Sequence, residues 1–221
     1  MNRKINNPAK LIVAAGAIPA LVALLGPESS ADIQAMAAGM LSYLTNLNAD
    51  NLVKIVEAGA IPPLVVLLGP QSSKGAQRNA VEALCSLSIN NAGCRGQIVS
   101  SGAIPPLVAL LGPQISAEVQ EQSARVLWSI SRCTADSHIQ IVAAGASPPL
   151  VDLLGPRNSA LAQENAAGVL GSISMNNADG CSKIRSAGGV AALKQLLSLS
   201  STNSHFRERT EVSLQFITHG T

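Results

Sequence analysis

Apolar residues along this chain of 221 residues fall into short bursts punctuated by glycine and proline, and the bursts recur. The stretch AGAIPPLVVLLGP at 58–70 has near-copies at 15–27 (AGAIPALVALLGP), 101–113 (SGAIPPLVALLGP) and 144–156 (AGASPPLVDLLGP). Its glycine stands at Gly16, Gly59, Gly102, Gly145 and Gly188, 43 residues apart each time. The Gly-Pro pair stands at 26–27, 69–70, 112–113 and 155–156, on the same period. A serine column follows (Ser30, Ser73, Ser116, Ser159, with Thr202 in the last unit), and a glutamine column four residues later (Gln34, Gln77, Gln120, Gln163). Self-similarity at a fixed period of this length marks a repeat architecture. Units of 1–48, 49–91, 92–134, 135–177 and 178–221 cover residues 1–221 as a single repeat domain.

Within one period the pattern predicts three helices. NLVKIVEA (51–58) forms the first, and Gly59 ends it because glycine reaches the left-handed conformation at no steric cost. The second starts at Pro62, where the missing N–H is an orphan donor anyway, runs through PLVVLL and stops at Gly69-Pro70. The third follows Ser73, a good N-cap. It runs through KGAQRNAVEALCSLSI, with Ala76, Ala80, Ala83, Leu84 and Leu87 at helical spacing. Asn90-Asn91 turns the chain into the next unit. No unit of this size buries its own apolar face, so neighbours must stack. The last unit, GGVAALKQLL followed by HFRERTEVSLQF, lacks the Pro and the Gly-Pro stop and reads as a charged terminal cap. The first begins directly on NNPAKLIVAAG, which leaves an apolar N-terminal end.

Composition agrees with helices. Hydrophobic residues make up 47% and aromatics 2%, so the core must come from Ala, Leu, Ile and Val, which suits close-packed helices better than a β-sandwich. A net charge of +2 with 13% charged residues lacks the basic footprint of a nucleic-acid binder. Cys85, Cys94, Cys133 and Cys181 form no CxxC pair or metal-ligand spacing, and a reduced cytoplasmic or nuclear setting is expected. Residues 2–26 mimic a signal peptide, yet the same apolar pattern recurs downstream. The run from Leu11 to Gly26 is 16 residues with Pro19 inside it, short of the roughly 18–20 that span a bilayer. It reads as fold, with no membrane partner expected.

The GAIPPLVxLL second helix, the three-helix unit and the period of 43 residues resemble the armadillo repeat family over essentially the whole chain. That resemblance implies an all-α fold, a right-handed α-solenoid with three helices per repeat. Armadillo arrays serve as adhesion scaffolds, nuclear-import adaptors and substrate-recognition arms of ubiquitin ligases. Their third helices line a concave groove, where Trp and Asn four residues apart grip an extended peptide. Here the Trp column holds Ser42, Cys85, Trp128 and Gly171, and the Asn column holds Asn46, Ile89, Arg132 and Met175. Only Trp128 and Asn46 match, in different units, so a ladder clamping a basic nuclear-localisation peptide is not expected. Trp128, Arg125 and Arg132 form the expected sub-site, suited to an aromatic or aliphatic anchor flanked by acidic residues, and Cys85, Ile89 and Met175 extend its floor. Trp128 reads equally as a ligand anchor or a packing residue. Arg78, Glu82, Glu121 and Arg125 make opposite-sign pairs at i,i+4, either a solvated charge lattice or a mixed-charge groove wall.

No catalytic constellation is visible. His138, His205 and His219 have no partner at motif spacing, the acidic residues are scattered, and Gly168 and Gly171 follow no strand as a phosphate loop requires. Close helix packing is the expected role of the two glycines. The chain is therefore expected to be a non-enzymatic interaction module without cofactor or metal, binding an extended peptide or a protein in its groove. Two alternatives stand beside it: a self-associating scaffold, including a homodimer through the N-terminal end, and the recognition arm of a larger ubiquitin ligase or transport adaptor.

Overall fold

The computed structural model describes residues 16–89, 91–175, 177–199 and 204–219, and every regular element among them is a helix. They divide into two compact units, residues 1–101 and 102–221. The first contains α1 (Ala17–Ala23), α2 (Ala31–Leu47), α3 (Ala49–Glu57), α4 (Ile61–Val66), α5 (Lys74–Ile89) and α6 (Ala92–Ser100). The second contains α7 (Ile104–Ala109), α8 (Ala117–Ser131), α9 (Ala135–Ala143), α10 (Ser147–Leu153), α11 (Ala160–Ser174), α12 (Ala178–Ser186), α13 (Gly189–Leu199) and α14 (Ser204–His219). The expected opening helix over residues 6–15, Asn90 and Thr202 lie outside the described residues, as do the side chains of His205 and His219. No helix among the described residues is long and apolar enough to cross a membrane.

The punctuation works as the sequence predicts. Gly16, Gly59, Gly102, Gly145 and Gly188 all take positive φ, between 74° and 82°, where a Cβ would cost about 1–2 kcal/mol. One column has a larger role than the turn expected of it. Asn48, Asn91, Thr134 and Asn177, 43 residues apart, cap α3, α6, α9 and α12 by accepting the N–H of the first helical turn. Asn48 accepts from Asn51 at 2.8 Å, so the helix predicted to begin at Asn51 begins at Ala49. Ser30, Ser73 and Ser159 cap the long third helices through their hydroxyls, whereas Ser116 accepts no such bond. The glutamine column closes the opposite side of the same corner. Gln34, Gln77, Gln120 and Gln163 each donate Nε2–H to the carbonyl of Gly26, Gly69, Gly112 and Gly155, at 2.8, 2.8, 2.8 and 2.9 Å.

Within each compact unit the third helices lie side by side. Asn79 on α5 donates its amide to the Ala35 carbonyl on α2 at 2.7 Å, and Asn165 on α11 makes the same reach to Glu121 on α8 at 3.5 Å. Ala76, Ala80, Ala83, Leu84 and Leu87 are all buried, as their spacing predicts, with Leu41, Leu44, Ile55 and Leu64 around them. Val126, Leu127, Ile130, Leu150, Leu170 and Ile173 make the equivalent layer in the second unit. Each such Leu or Ile contributes about 1.5–3 kcal/mol on burial. Without a Gly-Pro stop, α13 runs to 11 residues, while α4, α7 and α10 end after 6, 6 and 7.

One buried position breaks the pattern. Ile18, Ile61 and Ile104 open the second helix of their repeats and are buried, but the fourth copy places Ser147 there. Ser147 is 1% exposed and its Oγ has no hydrogen-bond partner among the described residues. Beside it a cavity of about 370 Å³ opens between Val142, Pro148, Lys183 and Ala187. Ser147→Ile removes an unsatisfied hydroxyl and restores the apolar filling, so it should raise stability by about 1–2 kcal/mol. Gln163→Ala, which removes one of the donors to the Gly155 carbonyl and leaves it the Asn158 N–H, should lower it by about 0.5–1 kcal/mol. Thermal unfolding followed by circular dichroism checks both signs.

Candidate functional site

Helix α8 buries Val119, Ala124, Val126, Leu127 and Ile130, leaving a flank that carries Glu121, Arg125 and Trp128 half-buried. On that flank the Trp128 indole leans over α11 and fills the space a side chain at 168 would occupy. A Cβ built on Gly168 would stand 2.6 Å from Trp128 Nε1 and 2.7 Å from Cε2, which no real contact tolerates. One turn further along α11, Gly171 does the same for Ser213 of α14, whose Oγ occupies the place of the missing Cβ. The two glycines thus admit neighbouring side chains between closely packed helices, the packing role their place in a helix predicts.

A cavity of about 360 Å³ opens beside these contacts, lined from all three helices. Trp128, Gly168 and Gly171 form its floor, and Met175, Phe206, Val212 and Phe216 stand around it. The chain contains one Trp, one Tyr and two Phe, so three of its four aromatic side chains meet here. The charged lining residues are Glu164 on α11 and Glu208 on α14, and no basic residue is among the described residues that line it. An apolar hollow with carboxylates on its rim suits a side chain that is aliphatic along its length and cationic at its tip.

Of the residues singled out from sequence, Trp128 and Met175 line this cavity. Arg125 and Arg132 share the compact unit but do not line it; Arg132 is exposed at the C-cap of α8. Glu121 accepts a hydrogen bond from the Ser159 hydroxyl. Asn46, Arg78, Glu82, Cys85 and Ile89 belong to the first unit. There Cys85 is buried, Ile89 is exposed, and Asn46 accepts from Ser86 Oγ of the adjacent third helix at 2.9 Å. Phe206, Phe216, Glu164 and Glu208 also line the cavity and were not singled out from sequence. The signal available for them was the scarcity of aromatics, since two of the few present stand in the last helix.

A further column escaped sequence reading. Thr45, Ser88, Ser131 and Ser174 each donate their hydroxyl to the carbonyl three residues back, at 2.6–2.9 Å. These acceptors are Ser42, Cys85, Trp128 and Gly171, so the buried hydroxyls tie down the backbone of the Trp column. The His138 ring bonds the Ser131 carbonyl at 2.6 Å across the turn from α8 to α9, a helix-ending role. Burial pushes the Cys94 and Cys181 thiols up from their ordinary value, against the opposing pull of Arg95 and Arg185. Both therefore stay protonated at neutral pH.

The Armadillo/beta-catenin-like repeat profile matches residues 6–46, 48–89 and 91–132. Solved structures of designed relatives superpose on nearly the whole chain. One, of computationally designed armadillo repeat proteins for modular peptide recognition, is 28% identical with a TM-score of 0.79 and covers 96% of this chain and 86% of its own. A designed armadillo repeat protein in complex with the peptide (KR)4 is 27% identical with a TM-score of 0.74, covering 96% and 86%. The armadillo-repeats-only protein of Plasmodium falciparum is 20% identical with a TM-score of 0.75, covering 99% and 100%, a likeness of fold. No curated protein matches the sequence significantly. The all-α armadillo solenoid expected from the period is the fold class of this chain, and the chain belongs to the armadillo/beta-catenin-like repeat family.

Proposed function

We propose that the chain is a peptide-binding scaffold and that the cavity over Trp128, Gly168 and Gly171 is its principal sub-site. It takes a lysine or arginine side chain from an extended segment of a partner protein. The observation that carries this reading is the meeting of three aromatic side chains with Glu164 and Glu208 in one cavity, with the Trp128 indole seated where Gly168 leaves room for it. The stem of such a side chain covers the apolar floor while its charge reaches the carboxylates. That designed armadillo proteins are built for modular peptide recognition, one of them solved with (KR)4, supports a peptide ligand and a basic one. The expectation of acidic flanks rested on Arg125 and Arg132, which stand outside the cavity. The site lies within helices packed before any ligand arrives, so little ordering entropy is lost on the protein's side.

Titration calorimetry with a (KR)4 peptide and an equally long Glu-rich peptide tests the charge reading, and the basic peptide should bind more tightly. Trp128→Ala should weaken it roughly five-fold or more, the loss expected of an anchor worth over about 1 kcal/mol. Glu164→Gln combined with Glu208→Gln should weaken binding and flatten its dependence on salt. Tighter binding of the acidic peptide, or indifference to Trp128→Ala, would sink the assignment.

A further inference from the structure

The Trp128 indole is laid flat against α11. The vacant Cβ position on Gly168 stands 2.6 Å from Nε1, 2.7 Å from Cε2 and 2.9 Å from Cδ1. Three neighbouring ring atoms at nearly one distance place that point over the ring plane, since an approach along the Nε1 edge would leave both carbons clearly farther away. One face of the indole therefore rests on α11, and the other is turned away from that helix. Any side chain at 168 would lift the ring out of this pose. Around the same cavity stand Phe206 and Phe216 of α14, together with Met175 and Val212.

The cavity offers little to a ligand rich in hydrogen-bond donors. Ser172 turns its hydroxyl onto the Gly168 carbonyl at 3.0 Å, and Thr210 turns its own onto the Phe206 carbonyl at 2.8 Å. The charged acceptors in the lining are the carboxylates of Glu164 and Glu208, and Glu208 is exposed. A guanidinium brings five N–H donors and an ammonium three, and each donor buried without an acceptor costs free energy. Methylation of a lysine removes those donors one by one and leaves the charge in place, spread over methyl groups that pack against carbon. A trimethylammonium has no donor to satisfy, and aromatic faces attract it through their quadrupole. Three aromatic side chains and a thioether, with two carboxylates to balance the charge, match that group more closely than a bare ammonium or a guanidinium.

Resting on the basic-ligand reading above, we infer that the side chain this cavity takes is a methylated lysine, and that the partner is a protein carrying that modification. Titration calorimetry with (KR)4 and with the same peptide trimethylated at every lysine tests it. Trimethylation should tighten binding about five-fold or more. Trp128→Leu keeps an apolar side chain but not the ring, and should erase that advantage while helix content, read by circular dichroism, stays unchanged. In a third peptide a carbon replaces each trimethylammonium nitrogen; it keeps the shape, loses the charge and should bind more weakly than the trimethylated one. Equal or weaker binding of the trimethylated peptide overturns the proposal. So does an advantage that survives Trp128→Leu, or one that the uncharged peptide shares. Where trimethylation brings no gain but unmodified (KR)4 still outbinds the Glu-rich peptide, the basic-ligand reading stands and methylation alone falls. Where neither form outbinds the Glu-rich peptide, both fall.

Discussion

Everything displayed on a third helix depends on the corner by which that helix leaves the second, and the same side-chain hydrogen bond spans that corner in four repeats. The Gly-Pro pair stops the second helix, and the glycine carbonyl there accepts one backbone N–H from three residues on, which leaves a second lone pair in want of a donor. A glutamine one turn into the third helix supplies the donor, reaching back to the glycine carbonyl in four successive repeats with distances that agree within a tenth of an ångström. The third helix begins just after the serine in each repeat, with or without its capping bond, and the glutamine ties the first turn back to the end of the second helix. Because the same corner recurs, the third helices of each compact unit emerge side by side, close enough for an asparagine amide to cross between them.

That regularity makes the irregular positions informative. A strictly repeated surface would offer the same small residues at every step. Two departures change it, each with a different physical consequence. A Trp in a column otherwise held by Ser, Cys and Gly demands space, and Gly168 yields it. A Ser in an Ile column leaves a hollow and an unsatisfied hydroxyl. Function and instability draw on the same currency here, since each departure gives up packing that the repeat would otherwise supply.

The fold was legible because its signals are local. Glycine at positive φ, proline in a first turn, a serine cap and apolar spacing of three and four act within a few residues, and the period multiplies each of them. The helix over 74–89 was placed to the residue. The caps were harder: Asn91 looks like turn chemistry until the N–H groups of Gly93 and Cys94 are seen pointing at its Oδ1. The lining of the candidate cavity was legible only in part. Column arithmetic found Trp128 and Met175, because a period carries a residue to its equivalent on the next helix. It could not find Phe206 and Glu208, which reach the cavity from a helix whose sequence departs from the consensus. Nor does a column reveal that Gly168 is empty because an indole lies there, a fact of three dimensions alone. The charge of the candidate cavity turns on the same point: Arg125 and Arg132 are near Trp128 along the helix without lining the cavity, while Glu164 and Glu208 line it.

The scarcity of aromatic residues has an optical consequence. The chain's single tryptophan, Trp128, belongs to the compact unit 102–221, and its single tyrosine, Tyr43, to the unit 1–101. Each unit therefore carries one ultraviolet fluorophore of its own kind, and light absorbed at the red edge excites only the indole. Without any label, emission from Trp128 follows one unit and emission from Tyr43 the other. Whether the two melt together or in succession can be read from a single cuvette.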